Sequence, residues 1–240
     1  MSFEDKTILI TGGTRGIGLA IAEKFLEANA KKVYITGTRT LGLQNGNSKY
    51  FFIKSNFLDS ESLNSLLNEI NSLEIDILIN NAGINKIDKF QNVSSEDFMK
   101  IQHVNLFAPF EICKAIIPNM KKKGWGRIVN ISSIFGKITK EYRAPYSASK
   151  FALDGMTAAM AIELAEYGIL ANCVAPGFVD TELTHKILDQ NGIADLVSKV
   201  PLKRLAKPNE IAELVLWLAS SKNTYLTAQN IAIDGGFTRV

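Results

Sequence analysis

A chain of 240 residues with 46% hydrophobic composition can bury one sizeable core, and its length suits a single α/β domain better than two small ones. With 27 basic and 24 acidic residues the formal charge is +3, and no basic stripe with interleaved aromatics is present, so nucleic acid is not the natural partner. No apolar stretch reaches the roughly 20 residues that span a bilayer, the first six residues lack a signal peptide's apolar segment, and Cys113, Cys173, His103 and His185 have no metal-ligand spacing; a cytoplasmic protein without a metal is expected.

Residues 7–10 form a short apolar run of the kind a buried strand shows. It passes into the glycine-rich segment TGGTRGIG at residues 11–18 and then into a helical pattern over 19–26. Strand, glycine turn and helix form the context of a phosphate site: glycine lets the backbone turn tightly beside a pyrophosphate, and free N–H groups at the helix start attract the anion. Gly12, Thr14, Arg15, Gly16, Ile17 and Gly18 are therefore candidate dinucleotide-binding residues. Further strand-like runs at 33–36, 51–54, 75–80, 127–131, 170–174 and 230–233 are mostly separated by helical patterns, which specifies a parallel sheet with helices on both faces. Between 36 and 50 the chain is short and rich in Gly and Asn, so the crossover there should be reduced to irregular backbone.

In the middle of the chain, a helix opening near Ser94 has an apolar stripe of Phe98, Ile101, Ala108 and Ile112, which places Asn105 on its buried face. Pro109 cannot donate to the Asn105 carbonyl, which becomes available to a water; an alternative is a simple proline kink with the amide satisfied by backbone. The run Lys121 to Lys123 reads as a solvated helix end. Ser132 and Ser133 follow a strand, at the edge where ligands bind in open α/β sheets. Tyr146 and Lys150, four apart in a helical run, project a phenol and an ammonium from one face, and a neighbouring positive charge would move the phenol toward values useful for acid catalysis.

These features, with Asn80 to Gly83, Pro176, Gly177 and Thr181 in the same order, make the chain resemble the short-chain dehydrogenase/reductase family over nearly its whole length, and within it the 3-oxoacyl-carrier-protein reductases. The resemblance implies one Rossmann-fold domain over residues 1–240 and strand order 3-2-1-4-5-6-7; the crossover between strands 2 and 3 departs from it, being shorter than the helix relatives carry there. It implies a catalytic set of Asn105, Ser133, Tyr146 and Lys150. Ser133 is chosen over Ser132 because it stands thirteen residues before Tyr146. It further implies Asn56 and Phe57 beside the adenine, Asn81, Ala82 and Gly83 along the cofactor, Pro176, Gly177, Val179 and Thr181 near the nicotinamide or phosphates, and ribose contacts from Tyr146 and Lys150.

Residues 33–39 contain no carboxylate that would grip a ribose 2′-hydroxyl and end in Arg39. With Arg15 this favours a 2′-phosphate, hence NADP(H) over NAD(H). The expected reaction is NADPH-dependent reduction of a carbonyl, with a sugar or small-alcohol dehydrogenase as the alternative. A non-catalytic nucleotide-binding regulator is disfavoured by the complete catalytic set. An acyl carrier protein is a possible partner, although Tyr167 stands where such reductases often place a basic residue. Residues 181–200 should cover the substrate, and the segment 38–49 should order on cofactor binding. Ala148, Ala152, Gly155 and Ala159 would permit close helix contact in a homotetramer or homodimer.

Overall fold

The computed structural model describes residues 1–38, 50–187 and 190–240. Seven strands form one sheet: β1 Thr7–Ile10, β2 Lys32–Gly37, β3 Tyr50–Lys54, β4 Ile77–Asn80, β5 Gly126–Ile131, β6 Ile169–Pro176 and β7 Asn230–Ile233. Their order is β3-β2-β1-β4-β5-β6-β7, and every pairing is parallel. That is the order the family resemblance implied.

Strand residues alternate between the two faces. Ile8, Ile10, Ile35 and Ile79 pack with Ile21 and Phe25 of α1 (Gly16–Glu27) and with Ile211 and Val215 of an αC-terminal layer helix, Pro208–Ala219. Leu9, Leu78 and Ile128 face the opposite way, against Leu66 of α2 (Ser60–Asn71), Ile112 of α4 (Ala108–Lys123) and Leu164 of α5 (Ala144–Leu164). Fully burying each such side chain is worth about 1.5 to 3 kcal/mol, so both faces of the sheet drive folding. Among the described residues no helix is long and apolar enough to cross a membrane.

The helix expected to run through Asn105 is divided. α3 (Ser95–Gln102) starts where Ser94 Oγ accepts the Asp97 N–H at 3.1 Å, and a π turn over His103–Phe107 joins it to α4. Pro109 sits in the first turn of α4, where its missing N–H does least harm. The π turn alters the phase of the expected stripe: Ile101, Ala108 and Ile112 are buried, but Phe98 is exposed. At the far end of α4 the lysine run is solvated, yet Lys123 also reaches the buried Asp76 at 2.8 Å and Lys121 lies 4.1 Å over the Tyr167 ring. Residues 181–200 contain α6 (Glu182–Ile187) and α7 (Gln190–Lys199); α8 is the helix Pro208–Ala219. The shortened crossover, Arg39 included, lies outside the described residues.

Candidate active site

Because all seven strands run in parallel, the segments leaving β1, β4, β5 and β6 emerge side by side along one edge. After β1 the backbone turns through Gly12 and Gly16, at φ +63° and +55°, conformations that favour glycine. A Cβ on Gly18 would strike the Gly12 carbonyl, so the third glycine lets α1 close onto the turn. The turn is clamped from β4. Thr11 Oγ1 accepts the Asn81 and Ala82 N–H groups, both at 3.0 Å, while Asn81 Nδ2 donates to the Thr11 and Gly12 carbonyls at 3.0 Å each. The Asn81 amide thus holds the glycine turn.

Several other candidates lie around this turn. Thr14 packs on Gly37 at the end of β2, and Ile17 packs against the core. Arg15 is the exposed N-cap residue of α1, whose first turn carries no acid. Among the described residues a Cβ on Gly16 would meet only Thr181, at 3.6 Å, which puts Thr181 across from the turn. Pro176 ends β6, and Gly177 follows with its N–H on Ile233 O at 2.9 Å.

The side chains of three further candidates have local partners. The Phe57 ring is buried with Leu63 and Leu66 in the core beneath α2, the natural place for an apolar ring next to an amphipathic helix, so its backbone is what it can offer a cofactor. Val179 is buried in the opposite core layer, and the group it presents locally is its carbonyl, which accepts the Thr184 hydroxyl at 2.6 Å. Asn56 is exposed, but its Oδ1 accepts the Leu58 N–H at 3.1 Å in a local turn.

The residues present fit a dinucleotide. Gly83 is exposed in this cleft, the glycine turn is left open opposite Thr181, and two buried polar atoms beside these segments have no partner among the described residues: Ser55 Oγ after β3 and Asn85 Oδ1 just past Gly83. Buried groups of this kind normally find a partner, and a bound cofactor or water would supply one. Ser55 carries no distinguishing signal in the sequence.

The catalytic candidates converge on the same edge. Ser133 follows β5 in extended backbone, and its Oγ accepts the Phe135 N–H at 3.1 Å, which leaves the hydroxyl proton to donate. Ser132 is structural: its N–H donates to Val174 O at 2.7 Å and its hydroxyl faces the Lys150 carbonyl at 3.4 Å. Lys150, 4% exposed, donates to Ile131 O at 2.8 Å, with its Nζ 5.7 Å from the Tyr146 ring centroid. A Cβ on Gly83 would lie 3.4 Å from Asn105 Oδ1 and 3.7 Å from Lys150 Nζ, so the segments after β4, the π turn and α5 meet at one point.

Asn105 is buried and its amide is fully engaged: Oδ1 accepts the Ile84 N–H at 2.8 Å, and Nδ2 donates to Ile84 O at 2.9 Å and to Ser149 Oγ at 3.0 Å. Ser149 in turn donates to the Tyr146 carbonyl at 2.7 Å. The backbone-satisfied alternative therefore describes the side chain, while the carbonyl still lacks the N–H that Pro109 cannot offer. Ser149 was not distinguishable in sequence from any other helix serine.

The electrostatics differ from the simple expectation. Burial raises the Tyr146 phenol above its ordinary 10, partly offset by the hydrogen bond with Ser133 and the charge of Arg143. Burial also lowers Lys150 to about 8. The Lys150 ammonium beside the phenol is itself desolvated and donates to Ile131 O. Cys113 and Cys173 are buried free thiols pushed up to about 12, so they behave as small hydrophobes.

A glycine turn after β1, a Ser-Tyr-Lys cluster at the carboxyl edge and this strand order together define a nucleotide-dependent oxidoreductase. The chain belongs to the short-chain dehydrogenase family, whose sequence model matches residues 6–192. It is 37% identical to the 3-oxoacyl-(acyl-carrier-protein) reductase FabG of Vibrio cholerae, over 98% of each chain. It is 38% identical to the protein of the same name from Escherichia coli K12, over the full length of both. Among solved structures it resembles a gluconate 5-dehydrogenase from Burkholderia cenocepacia in complex with NADP and tartrate, with a TM-score of 0.91, 28% identity and coverage of 100% of this chain and 97% of that one. It also resembles ElxO with NADP bound, with a TM-score of 0.89, 31% identity and coverage of 98% and 99%.

Proposed function

We propose that the protein reduces a carbonyl group to an alcohol, with NADPH favoured over NADH. The observation that carries this reading is the convergence of Ser133, Tyr146 and Lys150 with Gly83 and Asn105 at the carboxyl edge of the sheet. Bound NADPH supplies the hydride. Ser133, hydrogen-bonded to Tyr146 without substrate, turns its hydroxyl proton to the substrate carbonyl oxygen and orients it. Tyr146, held neutral at physiological pH, transfers its proton to the alkoxide oxygen as charge develops there. Lys150 brings positive charge beside the resulting phenolate, and its ammonium would serve the ribose hydroxyls. The Asn105 carbonyl is the group suited to hold a water that relays the replacement proton. Thr11 and Asn81 fix the glycine turn that Gly12, Thr14, Gly16 and Gly18 offer to a pyrophosphate, and Arg15 stands at the helix start where a 2′-phosphate would be met.

The substrate reading follows the FabG relatives, a 3-oxoacyl thioester, with an acyl carrier protein as potential partner. A second reading, reduction of a keto-sugar acid, is favoured by the gluconate 5-dehydrogenase likeness and by Tyr167, which replaces a basic residue with an aromatic one under Lys121. Residues 181–200 are proposed as the substrate cover. Ala148, Ala152, Gly155 and Ala159 form an exposed face of α5, and a Cβ on Gly155 would meet nothing among the described residues, which supports helix-to-helix assembly of two or four copies. The expected cytoplasmic location goes with this reading. Following NADPH oxidation with acyl thioesters, diketones and keto-sugar acids tests it. NADPH binding without turnover of any of them would reject the enzyme assignment.

A further inference from the structure

Arg143 has no task in the chemistry above, yet it is placed beside it. It is the N-cap residue of α5, three before Tyr146, and its guanidinium carbon lies 5.4 Å from the centre of the Phe135 ring, two residues past Ser133. The preceding residue, Tyr142, adopts φ +66°, an uncommon conformation for a bulky side chain, which turns the loop onto the helix at this point. Arg143 is half-buried, and among the described residues no carboxylate or carbonyl is bonded to its guanidinium. Its charge is nonetheless felt at the Tyr146 phenol, and burial lowers its own pKa. A desolvated, stacked guanidinium without a counter-ion is a preformed acceptor for a planar anion.

We propose that Arg143 binds a carboxylate of the substrate, so that the preferred substrates are keto acids whose carboxylate lies a few atoms from the carbonyl held by Ser133 and Tyr146. A carboxylate is favoured because its two coplanar oxygens match one guanidinium fork. This inference rests on the carbonyl-reductase reading and takes its second substrate class, a keto acid, over the thioester.

The test compares wild type, Arg143→Gln and Arg143→Lys on acetoacetate and on its neutral ethyl ester, by NADPH oxidation, with calorimetric titration of malonate into each enzyme–NADPH complex. The glutamine variant should raise KM for acetoacetate about 10- to 100-fold more than KM for the ester, the range of one charge-assisted contact, while the loss of the Arg143 charge at the Tyr146 phenol acts on kcat and is shared by both substrates. Malonate binding should disappear, and lysine should restore part of both effects. An equal rise in KM for the two substrates, or malonate binding that is absent in wild type or insensitive to Arg143, overturns the proposal. A wild type that reduces neither ketone faults the reductase reading, and the malonate titration still judges the arginine. Unchanged NADPH affinity and thermal melting in the variants would establish that the fold is intact.

Discussion

Replacing Lys150 with methionine should change how the stability of the cofactor-free protein responds to pH. Lys150 is 4% exposed, its ammonium donates to Ile131 O, and burial takes its pKa from 10.5 to about 8. Between those two values the unfolded chain holds a proton that the folded protein has released. The group therefore destabilises the fold below pH 8, and the penalty is relieved as pH rises toward 10.5. The shift of 10.5 − 8, about 2.5 units at about 1.36 kcal/mol each, corresponds to about 3 kcal/mol. Methionine does not titrate, so the stability of wild type relative to the variant should climb by about 3 kcal/mol across that window. Losing the hydrogen bond to Ile131 O costs the variant about 1 to 3 kcal/mol at every pH and leaves the slope unaffected. Tyr146, raised in both proteins, cancels in the difference. Urea unfolding of the two apo proteins at matched concentration from pH 7 to 10.5 measures it. A difference that stays flat over this range would refute the reasoning, since Lys150 would then not bear a buried charge in the folded state.

Removing the phenol with Tyr146→Phe should lower turnover about 10²- to 10⁴-fold while NADPH still binds, as single-turnover kinetics with a fluorescence titration would report. Arg15→Ala should weaken NADPH roughly three- to tenfold and leave NADH unchanged, because Arg15 is exposed and its contact is partly screened; equal effects on both cofactors would remove it from the 2′-phosphate. Thr11→Val takes the acceptor from the Asn81 and Ala82 N–H groups and should cost about 1 to 3 kcal/mol of unfolding free energy for each group left unpaired, together with a loss of cofactor affinity.

The strands, their parallel arrangement and the Tyr146–Lys150 pairing were legible because each rests on a local pattern: apolar runs bounded by turns, a glycine segment between strand and helix, a four-residue helical spacing. Ser133 was added to that pair only through the family resemblance. The π turn at His103–Phe107 was not legible, since Pro109 signals a disturbed helix without saying how the turn before it is wound. The side-chain partners of Thr11, Ser149 and Arg143 were hidden for another reason. Thr11 meets residues 81 and 82, Ser149 meets Asn105, and Arg143 lies over Phe135, contacts that exist only once the sheet edge has brought separate segments together. Phe57 and Val179 show the converse: an apolar residue next to a site contributes its ring or methyls to the core.

Both asparagines that sequence reasoning placed against ligands direct their amides at backbone. Asn81 holds the Thr11 and Gly12 carbonyls, and Asn105 brackets Ile84 through both its N–H and its carbonyl. Each thereby fixes one wall of the cleft, the glycine turn on one side and the segment after Gly83 on the other, before any ligand arrives. Pre-set walls reduce the ordering that binding must impose, which is where much of the cost of association lies. Substituting either asparagine should therefore act first on cofactor affinity and KM, whereas substituting Ser133 or Tyr146 should act on turnover. In Asn105→Ala the Ile84 N–H and carbonyl lose their partners while the proline-freed carbonyl of residue 105 is retained. If that variant lost turnover with cofactor affinity intact, the side chain would belong to the chemistry and the wall assignment would be wrong.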